Sequence, residues 1–422
     1  QTREDINATR YRRRFNDDTI ATIGIDSQAT HRLAAHELTW GGTAYWERTD
    51  NDYARFRSPN NVTDPGQAVQ DQSAADAPGQ TTVPDGSRYR GLAVFVQDQW
   101  TFAPTWTLLV GGRFDRTDWT LPITPDRPGY AGISGDIDGN ASAVTASGRV
   151  GWNFMPDHLA FGGLSQGFRA PTISNLAGIQ DRASSSSGGT GPQVEGNPDL
   201  DPERSLTAEI GWKYAHDRDT ASISLFATAL RDLIQVQYID VNSDGTITAA
   251  DRARSINAED GMLMGGEIAN DLGLPFGWVP EGHRFAIYQS TSYVSGEADV
   301  PQADLSVREE HISRANQLFG RIGVRYENLS AWYVAAQLRW ADRYDETAPG
   351  DAADTRHTST GYPGGIMPAW SVYDLKGGWH TPDDAYSIDL AVENLTDRTY
   401  REVGSGTDGS GLLFALTGTA RF

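Results

Sequence analysis

The amino-acid sequence predicts an all-β protein whose strands form an antiparallel barrel across a membrane. Apolar and polar residues alternate with a period of two in segments along the whole chain, which is the pattern of strands with two unlike faces. Charged residues inside these segments stay on one face, as a wet barrel lumen allows and a dry sandwich core does not. Short turns alternate with long polar loops, an asymmetry typical of barrels whose two ends face different compartments.

The composition limits the alternatives. The chain has 422 residues and a mean hydropathy of −0.49, and its longest apolar runs are far shorter than the roughly 20 residues of a membrane helix. A balance of 35 basic and 56 acidic residues gives a net charge of −21, which argues against nucleic acid as a partner. Having no cysteine excludes disulfides and thiol chemistry. The composition alone does not exclude a large soluble β-protein. The barrel is favoured because the charged residues within the strands lie on one face only.

The segments between residues 318 and 340 show the two faces most clearly. The residues predicted to face lipid are Trp332, Val334, Leu338 and Trp340. The residues predicted to face the lumen are Arg321, Arg325 and Arg339. Trp332 and Trp340 stand at the two ends of the apolar face, where interfacial aromatic girdles are found.

Fifteen strands are predicted, at residues 17–29, 33–49, 88–102, 105–121, 142–154, 158–169, 205–216, 219–239, 256–271, 281–296, 314–326, 329–344, 370–380, 384–397 and 411–422. Long loops are predicted at about 50–87, 122–141, 170–204, 240–255, 297–313, 345–369 and 398–410. An odd number of strands cannot close an all-antiparallel bacterial barrel. We therefore expect further strands to complete the wall.

Two sequence boxes flank the loop at 170–204. The first, at the end of a strand, consists of Phe168, Arg169, Ala170 and Pro171. The second, before the next strand, contains Asn197, Pro198, Asp199 and Leu200 within Gly-Asn-Pro-Asp-Leu-Asp-Pro-Glu. The prolines remove ladder donors, so strands end and restart there. Together the boxes resemble the signature of TonB-dependent receptors of the Gram-negative outer membrane.

A third box lies near the C-terminus and supports the same resemblance. It consists of Glu393, Asn394, Leu395, Asp397 and Tyr400. The last strand ends on an aromatic residue, which resembles the outer-membrane insertion signal. The sequence of residues 344–373 is most similar to the haem and haemoglobin branch of the family.

The resemblance implies that residues 1–422 are the C-terminal portion of a receptor barrel, about 15 of its about 22 strands, without the plug domain. Gln1 follows no signal peptide, so we expect a mature or truncated piece whose first residues lie in an extracellular loop. A second chain is then expected to carry the plug and about seven N-terminal strands, and to engage the TonB system. The expected location is the outer membrane, in contact with its lipid.

The function implied by the resemblance is uptake of a scarce ligand, such as a ferric siderophore or another iron chelate. The alternative is a receptor-derived barrel that serves as a structural scaffold or a surface-binding module without import. A plug with a TonB-box segment would discriminate the two. The sequence contains no P-loop or zinc-protease motif, and no enzyme activity is predicted.

The loop at 240–251 predicts a calcium site. It reads Asp-x-Asn-x-Asp-Gly-x-Ile-x-x-x-Asp, which is the EF-hand pattern of oxygen ligands around a turn glycine. The predicted ligands are Asp240, Asn242, Asp244, Thr246 through its carbonyl, Thr248 and Asp251. Aspartate replaces the usual bidentate glutamate at the last position, which weakens the site, and residues 249–255 are the one candidate for a flanking helix. An acidic turn rich in self-capping side chains is the alternative.

Haem is not expected as a cofactor. In haem receptors the loop between the first two boxes usually holds a ligating histidine, and residues 172–196 contain none. His357 lies in another predicted extracellular loop and is a weak substitute, since a lone loop histidine is more often simply solvated.

Overall fold

The architecture was obtained as a computed structural model of the full chain. The residues that it describes are 2–7, 10–57, 69–70, 83–123, 135–180, 194–241, 251–258, 260–302, 306–352, 361–383 and 385–421. Within these ranges no helix is long and apolar enough to cross a membrane.

Strands account for nearly all of the regular structure. They are β1 (Thr2–Asn7), β2 (Arg10–Leu33), β3 (His36–Arg57), β4 (Val69–Gln70), β5 (Ser87–Ala103), β6 (Trp106–Ile123), β7 (Gly135–Met155), β8 (His158–Arg169), β9 (Ile179–Gln180), β10 (Val194–Glu195), β11 (Glu203–His216), β12 (Asp219–Arg231), β13 (Ile234–Ile239), β14 (Arg252–Asn257), β15 (Asp260–Gly273), β16 (His283–Pro301), β17 (Val307–His311), β18 (Gln317–Asn328), β19 (Trp332–Ala341), β20 (Trp370–His380), β21 (Tyr386–Glu393) and β22 (Leu413–Ala420). The helices are α1 (Ile173–Ala177), α2 (Pro349–Ala352) and a 3-10 turn at Pro363–Gly365.

The main sheet is an antiparallel meander in which each long strand pairs with the next one along the chain. Its fifteen long strands are β2, β3, β5, β6, β7, β8, β11, β12, β15, β16, β18, β19, β20, β21 and β22. The short strands β1, β4 and β17 extend β2, β3 and β16 at the end that carries the long loops. The prediction of an all-β antiparallel wall with about fifteen strands is confirmed.

Several predicted boundaries were wrong, and the errors have one cause. Residues 219–239 form two strands, because Asp232 adopts a left-handed φ of 56° and turns the chain out of the sheet after β12. Residues 252–255, in the candidate for a short helix at 249–255, instead belong to β14. Strand β7 begins at Gly135, inside the predicted loop. In each case the chain continues or re-forms strands above the barrel wall, where hydrophobic alternation gives no signal.

The two faces of the wall have the predicted character. Val334 and Trp332 are 52% and 36% exposed on the outer face, although both are large apolar side chains. On the other face, Arg325 forms an ion pair with Asp271 of β15, and Arg339 forms one with Asp374 of β20. Because a soluble sheet would bury the first set, the exposed apolar face is the surface that meets lipid.

Aromatic rings form a belt at the end of the wall that has the short turns. Trp106 stacks on Trp152 with centroids 5.2 Å apart, and His158 stacks near Trp212 at 5.6 Å. A second group joins Phe276, Trp278, Phe285, Tyr326 and Trp332. Such a belt is typical of strands that pass a membrane–water boundary.

The described sheet has two edges. No ladder within the described residues joins β22 to β1 or β2. Both edge strands are exposed on both faces: residues 19–28 of β2 are all exposed, and so is every residue of β22. The wall is therefore open between these two strands.

Candidate ligand site at the loop-bearing end

The first box anchors the long loop after β8 to the wall. The guanidinium of Arg169 forms an ion pair with Glu203, across the β8–β11 ladder. Pro171 is fully buried, and its carbonyl accepts a hydrogen bond from the Tyr89 hydroxyl at 3.0 Å. Glu203 also accepts the Ile234 backbone N–H at 2.8 Å, so one carboxylate holds two loops.

The second box joins that loop to the loop after β12. The Asn197 side chain donates to the carbonyl of Ser255 at 3.0 Å and accepts from Arg254 at 2.7 Å. Its oxygen also accepts the backbone N–H of Asp199 at 3.1 Å. These bonds lie beside a small sheet in the order β13–β14–β10–β9, which is built entirely from the two loops. The box is thus a junction between loops.

A small hydrophobic core holds the junction against the wall. It comprises Trp119, Leu121, Ile123, Ala141, Ile173, Leu176, Ala177 and Leu200. Thr172 caps α1 by accepting the Asn175 N–H at 3.2 Å, which places Leu176 in this core. Leu200 of the second box is buried here, whereas the side chain of Asp199 is 86% exposed and forms an ion pair with Arg254 at 3.8 Å.

The third box builds the corner between β21 and β22. Asn394 is 1% exposed, adopts a left-handed φ of 50°, and donates its side-chain N–H groups to the carbonyls of Arg398 and Ser410. Asp397 accepts the Leu412 N–H at 2.9 Å, and Tyr400 packs on Trp370 with centroids 4.4 Å apart. Glu393 lies 4.0 Å from Arg339, and Leu395 is 40% exposed.

Behind this corner lies a buried carboxylate. The side chain of Asp374 has no exposed surface and accepts hydrogen bonds from Arg339 at 2.7 Å, Gln337 at 2.8 Å and the Asn394 backbone at 2.9 Å. Three donors satisfy the charge and fix Arg339 in one orientation. The predicted lumen face therefore carries an organised polar network on β19, β20 and the last loop.

A second carboxylate, Asp351, ties three further loop segments together. It accepts the Ser313 hydroxyl at 2.7 Å, the Tyr344 hydroxyl at 2.9 Å and the Arg314 backbone N–H at 3.2 Å. Tyr344 is 1% exposed, and burial, reinforced by the neighbouring carboxylate, raises the pKa of its phenol. The loops after β16 and β19 are thereby held together at this end of the wall.

Between these anchors lies a cavity of about 520 Å³ on the lumen face. Its floor is formed by β16, β18 and β19, with Ser290, Arg321 and Arg339 among the lining residues. Arg314 and Glu402 line it from the loops. A volume of this size holds a small ligand.

The calcium prediction falls mostly outside the described residues. Asn242, Asp244, Thr246 and Thr248 belong to the undescribed segment 242–250, so only the two ends of the loop are placed. There the Asp251 carboxylate is buried and accepts the Val241 N–H at 2.9 Å. This bond joins the second and last positions of the motif. Within the described ranges, no three acidic or histidine side chains cluster as a metal site.

The haem candidate His357 also lies in an undescribed segment, 353–360. Sequence reasoning placed Arg321 and Arg339 on the lumen face correctly but did not single out the cavity. Arg314 and Glu402 were missed, because they lie in loops where no periodicity indicates which side chains converge.

Comparison with known proteins gives a consistent result. A family model described as TonB dependent receptor-like, beta-barrel matches residues 1–395. An iron-regulated outer membrane virulence protein of Vibrio cholerae serotype O1 is 26% identical over 324 residues, which cover 75% of this chain and 42% of the relative. The chain thus spans less than half the length of that relative.

Solved structures show the same fold. The copper transporter OprC superposes with a TM-score of 0.71 at 17% identity, over 96% of this chain and 57% of that one. The Serratia marcescens hemophore receptor HasR, in complex with its hemophore HasA and heme, superposes with a TM-score of 0.64 at 16% identity, over 96% and 60%.

Proposed function

We propose that this chain, which belongs to the family of TonB-dependent receptor β-barrels, forms the C-terminal part of the wall of a transporter that imports a scarce iron chelate. As a member of this family it resides in the outer membrane of a Gram-negative bacterium and is not an enzyme. The observation that carries the proposal is the cavity on the charged lumen face, directly below loops held together by Asp351 and Asp374. The iron-regulated relative supports iron as the cargo.

The geometry suits capture of a solute from outside the cell. The long loops gather at one end of the wall, and the lumen face below them is polar and ordered by ion pairs. A hydrophilic ligand that enters between the loops meets a preorganised polar surface rather than lipid. Energised release into the periplasm requires a plug and the TonB system, which we place in polypeptide beyond these 422 residues.

The open edges of the wall support the proposal that a further segment pairs with them. Unpaired backbone groups in a bilayer cost several kcal/mol each, so β2 and β22 require strands to pair with. We propose that a segment with about seven further strands and the plug joins both edges. A second chain would carry that segment if the receptor is split at an extracellular loop, where cleavage leaves the ladders on either side intact.

The partner proposal is tested by purifying the protein from outer membranes without heating. Mass spectrometry should find peptides of a plug and further strands that co-purify with this chain. Peptides continuous with Gln1 would show one longer polypeptide, and separate peptides would show a split receptor. A purified chain with β2 paired directly to β22 would refute both forms.

The transport proposal is tested by deleting the gene and measuring uptake of radioactive iron under iron limitation. Uptake should fall and return on complementation, and it should require TonB and an energised inner membrane. Binding of iron chelate without uptake would instead support the alternative function, a surface-binding module or scaffold. Uptake that is unchanged by the deletion would refute the proposed function.

A further inference from the structure

Two arginines face each other directly across a ladder in the cavity. Arg321 on β18 pairs in register with Arg339 on β19, and alternation places both side chains on the lumen face. Like charges directly opposite each other destabilise a sheet unless a counter-charge is present. Arg339 has one, because its guanidinium is held by the buried Asp374.

Arg321 has no such counter-charge among the described residues. No carboxylate in the described ranges lies within 4.0 Å of its guanidinium, and the same is true of Arg314, which lines the cavity from the loop above. Glu402 is the one acidic residue among the lining residues. In a chain with a net charge of −21, the cavity therefore concentrates positive charge where the rest of the molecule is acidic.

The surroundings suit an oxyanion rather than a bare ion. Guanidinium groups bind carboxylate and similar oxyanions in a bidentate manner, and the hydroxyls of Ser290 and Ser292 line the same cavity. Phe319 and Trp370 add apolar and aromatic surface on which a chelate ring system can pack. The cavity, at about 520 Å³, has room for more than a single small anion.

From this arrangement we infer that Arg314 and Arg321 form an anion-binding subsite that selects negatively charged iron chelates over neutral ones. The ligand supplies the counter-charge that the described chain lacks, and the fixed pair of Arg339 and Asp374 holds the floor of the site. Local positive potential in a recessed site also concentrates anions from solution. This inference rests on the proposed function and specifies the substrate class of the same site.

The test uses the complete receptor purified in detergent and follows quenching of tryptophan fluorescence during titration. Ferric citrate and a ferric tris-catecholate are the anionic probes, and a neutral ferric trihydroxamate is the charge control. At least one anionic probe should bind more tightly than the neutral one, and its affinity should fall as salt is raised. Equal binding of all three, or no binding of either anionic probe, overturns the inference.

Two substitutions locate the subsite. Arg321→Gln and Arg314→Gln should each weaken binding of the anionic probe at least tenfold and leave the neutral chelate unaffected. Arg113→Gln is the matched control, because Arg113 also faces the lumen but is paired with Asp115 at 2.9 Å outside the cavity. Equal losses in all three variants, or none in the first two, overturn the inference.

A further measurement separates a ligand site from an internal ion pair. If the counter-charge is a ligand, Arg321→Gln removes like-charge repulsion and leaves the unliganded receptor at least as heat-stable as the wild type. If a carboxylate of the plug or of an undescribed loop pairs with Arg321, the same variant lowers the melting temperature, and the inference fails. If the variants bind the anionic probe normally and the receptor still imports iron, this inference alone fails. If the receptor shows no TonB-dependent iron uptake at all, the proposed function fails.

Discussion

The backbone N–H of Asn394, in the last sequence box, donates to the buried carboxylate of Asp374 at 2.9 Å. The same carboxylate binds Arg339, so a loop corner and a lumen-facing cation share one acceptor. This arrangement couples the end of β21 to the floor of the cavity. Its loss should affect both stability and ligand binding.

Asp374→Ala should destabilise the folded barrel by about 3 kcal/mol, because it leaves the Arg339 guanidinium and the Asn394 N–H without their buried acceptor. Urea unfolding in detergent micelles measures the change. Asp118→Ala is the control, since Asp118 makes a largely exposed ion pair with Arg116 whose loss should change the stability little. Similar losses in the two variants would contradict the role assigned to Asp374.

Asn197→Ala should loosen the junction between the loops after β8 and β12 without unfolding the wall. Loss of its bonds to Arg254 and Ser255 should lower the free energy of local opening by about 2 kcal/mol. The population of the open form should then be roughly 30-fold larger. Limited proteolysis from outside the cell should then cut these loops faster. Asp199→Ala removes only a largely exposed ion pair with Arg254 at 3.8 Å and should change the cleavage rate far less.

Tyr344→Phe should lower stability by about 1–2 kcal/mol near neutral pH, because Asp351 and the Arg314 N–H both lose the phenol. The pH dependence has a definite sign. Burial raises the pKa of Tyr344 above the unfolded value of about 10, so its contribution is complete below that pH and declines as the pH rises further. Unfolding midpoints measured on both sides of pH 10 should show this decline in the wild type and a smaller one in the variant. Tyr386→Phe, at an exposed tyrosine, is the control and should leave the stability near neutral pH almost unchanged.

The loop at 240–251 should bind one calcium ion, which would rigidify an extracellular loop. Asp244→Asn should abolish binding, and Asp251→Glu should tighten it, since a longer carboxylate restores the usual bidentate ligand of the motif. Terbium luminescence with calcium competition reports both effects. Asp136→Asn, in the strand β7, is the control and should change nothing. Unaltered calcium affinity in Asp244→Asn would favour the plain acidic turn.

Local sequence patterns were sufficient to predict the wall. Alternation with a period of two is a local property, so it marked the fifteen long strands, their inner and outer faces and the lumen position of Arg321, Arg325 and Arg339. The short turns could also be predicted from the sequence. They contain residues such as Asp157 and Asp217, which adopt the left-handed backbone conformation that tight turns require. The three boxes indicated the family because their residues and their order are read directly from the sequence.

The roles of the boxes and loops depend on contacts between segments that are distant in the sequence. The pairing of Asn197 with Arg254, of Asn394 with Asp374, and of Asp351 with Tyr344 joins segments that are separated by loops without periodicity. Arg321 and Arg339 lie directly opposite each other because of the register between β18 and β19. A shift of one residue in that register would separate them. Alternation along one strand does not contain that register, because register is a relation between strands that is set by turn lengths and side-chain packing.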